Sequence, residues 1–269
     1  MSLGVVIKAP EGLVLGADSR VTLQAGLPGG PPGGPTILVN FDNATKLLIF
    51  SKPNTAVGAV TYGLAAIGLR TAHSYVPEFE AALPDDRLPV QEFAEHLSDF
   101  FLRQWKAVMP TDYKGPNMTF VVGGFNRDEP YGRVLVIDIP KKPTPVEQHA
   151  NPGEFGITWG GQREWVDRLI QGYDHRLLDI VSKTLGLNSD QRNAVMKALE
   201  PLSMGIPLQA MPLQDCVNLA IFFLRTTISG QNVSVGVRGV GGPIDIATIT
   251  RAEDLKPVQR KQIVGEGGA

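Results

Sequence analysis

A serine at position 2, an aspartate at 18 and an arginine at 20 bracket two β-rich runs, LGVVIKA and LVLGADSRVT, separated by the turn signal PEG. A three-residue turn pairs Ala9 with Leu13 and sets Ser2 opposite Arg20, with Asp18 two residues along. All three then share one face, because directly opposite and i, i+2 residues of a hairpin point the same way. A one-residue slip of the turn moves Ser2 to the other face. In the three-residue register a hydroxyl, an acid and a base converge at one end of a sheet. A serine hydroxyl attacks a carbonyl only when a base takes its proton. At a chain terminus that base can be the residue's own α-amine, whose ordinary pKa of about 7.7 to 8.0 suits proton transfer near neutrality. The amine is also tethered to the hydroxyl it must deprotonate. Ser2 is small enough for removal of Met1 to be expected, which leaves Ser2 as the terminus. The chemistry this arrangement offers is acyl transfer from an amide or ester.

The elements that must position these groups can be read along the chain. With 269 residues, 43% hydrophobic and 19% charged, the sequence has material for a sizeable core in a single domain over residues 1–250. A polar stretch, 251–269, reads as a flexible tail. Net charge is -2 and no long basic run occurs, so neither nucleic acid nor an anionic membrane is expected as a partner. The single cysteine, Cys216, cannot form an internal disulfide, and with no signal-like segment the reading is cytoplasmic. The apolar run LAIFFL is too short to span a bilayer.

After the first hairpin comes a Gly/Pro tract over 24–36, read as a loop, then strands TKLLIFS and TAVGAVT. Helices are expected from Gly63 to Ala82 and from about Val90 to Val108; their apolar residues, Leu64, Ile67, Phe93, Leu97 and Phe101, should cover a sheet and still offer a contact surface. A hairpin of MTFVVGGF and GRVLVIDI, a strand GITWGG, a helix REWVDRLIQGY, short helical pieces over 176–200 and a helix over 213–228 follow. NVSVGVRG and PIDIATIT read as a closing hairpin. Runs of strands alternating with paired helices describe an α+β chain with sheets and helices in separate layers.

GLVLGADSRVT, followed by TKLLIF and AVGAVTYG, resembles the proteasome β-subunit family and its bacterial relatives, the Anbu proteins among them, which belong to the N-terminal nucleophile hydrolases. NVSVGVRGVGGPIDI is similar to the closing segment of the Anbu group. The resemblance implies a four-layer αββα sandwich of two antiparallel sheets flanked by helices. It implies a nucleophile at Ser2, the acid Asp18, the arginine Arg20, the lysine Lys46 and an oxyanion-hole glycine at Gly58, with Ser229 supporting the amine. Val21 and Thr22 would offer backbone edges to an extended peptide, and Ala56 and Val60 join them as substrate-binding positions. A lysine beside the terminal amine favours the neutral amine and the developing alkoxide, and an aspartate bonded to that lysine holds it charged.

The implied function is peptide-bond hydrolysis in a self-compartmentalising homo-oligomer, a ring or a spiral, acting on peptide or unfolded protein; an ATPase partner is left open. Departures keep two other readings in play. Gly160 stands where the family has a serine, and Thr226 or Thr227 where it has an aspartate, which favours an inactive scaffold subunit. The third reading is an amidase of the same superfamily acting on a small molecule. No cofactor or metal is expected, since the histidines at 73, 96, 149 and 175 show no ligand spacing with one another or with Cys216.

Overall fold

Every residue of LGVVIKA and GLVLGA is buried, as a strand covered on both faces requires. In the computed structural model, which describes residues 2–26 and 36–265, these runs are β1 (Leu3–Ala9) and β2 (Gly12–Ala17). Ala9 pairs with Gly12 and Gly4 with Ala17, so the turn is Pro10 and Glu11 alone, and the expected register is corrected by one residue. Gly12 belongs to the ladder because the Ile249 carbonyl lies 2.6 Å from where its Cβ would stand, an approach only glycine permits. Ser2 is therefore not opposite Arg20. Asp18 instead falls beside Leu3, its N–H donating to the Leu3 carbonyl at 3.3 Å.

The chain continues through β3 (Val21–Gly26), β4 (Thr36–Phe41), β5 (Leu47–Ile49), β6 (Val57–Gly63), β7 (Ala66–Ile67), β8 (Arg70–Thr71), α1 (Val76–Ala81) and α2 (Val90–Val108). Then come β9 (Met118–Gly124), β10 (Arg133–Ile139), β11 (Lys142–Gln148), β12 (Gly156–Gly161), α3 (Glu164–Ile170), α4 (Leu177–Leu185), α5 (Ser189–Leu199), α6 (Leu213–Val233), β13 (Asp245–Ile249) and β14 (Lys256–Gln259). Two antiparallel sheets organise them, one in the order β12-β1-β2-β13-β14 and the other β11-β10-β9-β6-β5. β3 pairs with β4, and β7 with β8, as separate ribbons.

Side-chain alternation divides the core into three clusters. Val6, Leu13 and Leu15 meet Val60, Val121 and Val134 between the two sheets. Leu3, Val5 and Ile7, on the opposite face of β1, pack against Val217, Phe223 and Leu224 of α6. Phe93, Leu97 and Phe101 of α2 cover Phe120, Val122 and Ile137 of the second sheet. Ser2 continues the series of Gly4 and Val6, so its side chain is directed toward the second sheet. Ordering so many large apolar residues is offset by burial worth about 1.5–3 kcal/mol for each Leu, Val or Phe taken fully out of water.

Several expectations are corrected. Residues 63–71 are not helical: Gly63 and Gly68 take φ of +86° and +60°, and the helical path begins only at Ala72. Ile67, Phe93, Leu97 and Phe101 are fully buried and offer no contact surface. Within the same stretch Leu69 and Val108 are exposed, and further exposed apolar side chains lie at Ile180, Leu185, Met196, Leu202 and Met204. NVSVGVRG forms no strand, because α6 runs on to Val233, and Val233, Val235 and Val237 alternate with nothing to pack on. Within the polar stretch from Arg251, β14 pairs with β13, and Pro257 sits there as proline does on an edge strand. The tract at 24–36 is strand at both ends, 24–26 and 36; its middle, 27–35, lies outside the described residues, as does Met1. Among the described residues no helix is long and apolar enough to cross a membrane.

Candidate active site

Lys46 enters β5 with its side chain 5% exposed, and Asp18, at the end of β2, is fully buried. Two charges so far from water persist only when paired and hydrogen-bonded. The Lys46 ammonium donates to Asp18 Oδ1 at 2.7 Å and to the Arg20 carbonyl at 2.5 Å. The remaining capacity of the carboxylate is filled by backbone donors: Leu3 N–H to Oδ1 at 3.0 Å, Arg20 N–H and Gly241 N–H to Oδ2 at 3.1 and 3.0 Å. Burial pushes the Lys46 pKa below the ordinary lysine value of 10.5, while Asp18 pulls it back up.

Ser2 shares a small pocket with this pair. Its walls include Ser2, Val21, Thr45, Lys46, Tyr62 and Leu64. The peptide that follows Ser2 is pinned at both ends, since its carbonyl accepts from Gln162 N–H at 2.8 Å and its amide, of Leu3, donates to Asp18 Oδ1 at 3.0 Å. The slipped register brings Asp18 to the site through Leu3, and the side-chain alternation of β1 aims Ser2 at Lys46 and Tyr62 of the second sheet.

The other expected residues divide. Val21 lines the pocket, whereas Thr22 donates its hydroxyl to Asn40 Oδ1 across the β3–β4 ribbon. Arg20 contributes its carbonyl; its guanidinium turns away to grip Asp42 through Nε and Nη2 at 2.5 and 2.8 Å. Gly58 is not at the pocket. It sits within β6 against Ile49 and Gly123, and a Cβ there would stand 2.2 Å from Leu255 Cδ1 and 3.3 Å from Leu15. Ala56 accepts from Phe125 N–H and Val60 is buried between the sheets, so neither borders the pocket. Ser229 is exposed on α6.

Gly63, which the sequence reading does not single out, stands at the exit of β6 between pocket-lining Tyr62 and Leu64. Thr61 N–H donates to the Lys46 carbonyl at 2.9 Å, and Leu64 N–H donates the opposite way, to Asn117 at 2.7 Å. By the alternation of strand amides, Gly63 N–H points to the Thr61 side, where the pocket walls Ala44 and Thr45 lie. Only glycine fits there, because φ is +86° and a Cβ would fall 2.2 Å from the Asn117 carbonyl. Its sequence signal is the second glycine of AVGAVTYG.

No protein-family model matches the sequence, and no curated protein matches it. Solved structures do. An Anbu mutant from Hyphomicrobium sp. strain MC1 aligns over 100% of this chain and 89% of its own, with a TM-score of 0.56 at 15% identity. Anbu from Yersinia bercovieri, described as an ancestral beta-subunit, aligns over 97% and 88% with the same TM-score and identity. The fold is similar to that of the Anbu proteins. Within this Anbu-like fold, Gly160 of β12 faces Gly4, and a Cβ on it would fall 2.2 Å from the Tyr62 hydroxyl oxygen, so that ring fills the place of a side chain at 160. Thr227 is buried and donates to the Phe223 carbonyl of its own helix at 2.9 Å. The α6 side chain that reaches toward β12 is Gln231, which donates to Gln162 and accepts from Val240 N–H. Burial lifts the Tyr62 hydroxyl to about 12, so it stays a neutral hydrogen-bonding group at physiological pH.

Proposed function

We propose that the chain is a proteasome-like N-terminal nucleophile peptidase, with Ser2 attacking peptide bonds once Met1 has been removed, and that copies of it assemble into a compartment. One observation carries this reading: Ser2 and Lys46 line the same pocket, and Lys46 is tied to a buried, fully bonded Asp18. The three apolar clusters support taking the stack as a four-layer αββα sandwich, one domain with its site at one end of the sheet pair. The Anbu likeness supports the assembly, for which exposed apolar side chains such as Leu69 and Val108, and Ile180, Leu185 and Met196 of α4 and α5, offer contact surfaces.

In this mechanism the neutral α-amine takes the proton of Ser2 Oγ as Oγ adds to the scissile carbonyl carbon. Lys46 stabilises the forming alkoxide by its charge, and Gly63 N–H donates to the oxyanion of the tetrahedral intermediate. The protonated amine passes its proton to the leaving nitrogen as the C–N bond breaks, leaving an acyl ester on Ser2. Water adds to that ester and its proton returns through the amine, releasing the acid. Val21 bounds the channel along which an extended peptide would lie.

Ser2→Ala tests the reading. Hydrolysis of a panel of peptidyl coumarin amides should vanish while the sedimentation coefficient, expected to be far above that of a 29.0 kDa monomer, is unchanged. A second reading, a scaffold subunit without turnover, is favoured by Gly160 and Thr227, which leave the amine without the expected serine and carboxylate. Absence of hydrolysis in the unsubstituted chain, with the large assembly intact, would select it.

A further inference from the structure

Beyond β14 the chain turns back toward the site, and Lys261 is its anchor. Lys261 is 11% exposed at its side chain and Asp245, which it pairs with, is 3% exposed. The pairing is double: Lys261 N–H donates to Asp245 Oδ1 at 2.9 Å and Nζ to Oδ2. Nζ also donates to Ser19 Oγ at 3.0 Å. Ser19 is the residue between Asp18 and Arg20, the two that hold Lys46. Its N–H donates to the Gly241 carbonyl at 3.0 Å, and its carbonyl accepts from Ala44 N–H, in the pocket wall, at 2.9 Å. A side chain from the far end of the sequence thus bonds the buried Ser19 hydroxyl, next to the site.

We propose that Lys261 is a positioning residue of the Ser2 site, tying the C-terminal segment to Ser19 so that the Asp18-Ser19-Arg20 turn holds Lys46 in place beside the nucleophile. This rests on the nucleophile reading above. A buried ion pair is weak evidence for stability alone, and its best-attested use is to fix one arrangement among several. Lys261 fits that use because it bonds simultaneously to β13, through Asp245, and to the residue joining the two Lys46 acceptors. It has a second consequence. Lys46 faces Asp18 as its counter-charge, with Arg20, itself paired to Asp42, and Lys261 as the neighbouring cations. Lys261 in turn faces Asp245, with Arg260 and His73 nearby. A second ammonium beside Lys46 makes the Lys46 proton easier to lose.

The test is the rate at which a peptide vinyl sulfone labels Ser2, followed by intact mass across pH, in the full chain. Lys261→Met should cut the maximal rate by about tenfold or more with little change in probe affinity, the pattern of lost transition-state positioning. It should also move the alkaline limb upward in pH, because a like charge near Lys46 has gone. Lys261→Arg should restore most of the rate. Ser19→Ala removes the hydrogen bond and leaves the charge, so it should slow labelling severalfold with the alkaline limb in place, and it serves should Lys261→Met fail to fold. Wild-type rate and limb in folded Lys261→Met, or an unaffected Ser19→Ala, would overturn the proposal while Ser2→Ala remains unlabelled. Labelling that persists in Ser2→Ala would instead overturn the nucleophile reading, and this inference with it.

Discussion

The Tyr62 hydroxyl oxygen stands 2.2 Å from the position a Cβ on Gly160 would take, so the two residues share one space and only one can fill it. Gly160→Ser is then an overpacking change, expected to cost about 1–3 kcal/mol in urea denaturation. Tyr62→Val should relieve it, giving a double substitution more stable than the sum of the singles. Additive costs would show that the ring is not what occupies the site.

Lys46 gives a pH dependence with a definite sign. The α-amine must be neutral to act, and the Lys46 charge beside it favours that form, so activity should rise at or below the group's ordinary range of about 7.7 to 8.0. Lys46 must be charged, and burial has lowered its pKa below 10.5, so activity should fall on the alkaline side before a free lysine would titrate. Stability follows the same shift with its own sign. Between the lowered folded value and 10.5 the unfolded state binds more protons, so stability should rise with pH across that window. Lys46→Arg should remove the alkaline limb of the rate profile, since guanidinium does not titrate there. An unmoved limb would assign it to another group.

Two glycines of one strand separate the site from its scaffold. Gly63→Ala places a Cβ 2.2 Å from the Asn117 carbonyl at a φ of +86°, and should abolish labelling of Ser2. Gly58→Ala meets the flexible end of Leu255 instead, and should lower the melting temperature while the folded protein still labels at a near wild-type rate. The reverse pattern would restore Gly58 to the oxyanion site.

These two glycines also mark where sequence reading stopped. That Ser2 and Asp18 lie near one another was legible from the order of strands and polar residues, while Lys46 entered only through the family resemblance; the structure brings the three together. The pocket wall was not legible, because AVGAVTYG contains glycine at both ends of β6 and alternation alone does not say which end meets Ser2. The hairpin register failed on PEG for a similar reason: Gly12 serves the close approach of Ile249, a contact 237 positions away that no local turn rule contains. Alternating valines at 233, 235 and 237 read as strand, yet a strand also needs a neighbour with free edges. The Lys261 contacts were hidden because a polar terminal stretch carries no hydrophobic period to place it.

The central claim is that Ser2 is the attacking group. Peptide mapping by tandem mass spectrometry, after reaction with a peptide vinyl sulfone, tests it most directly. The account predicts one adduct, on Ser2 of chains that have lost Met1, and none in Ser2→Ala. An adduct on another residue, or labelled chains that retain Met1, would contradict it.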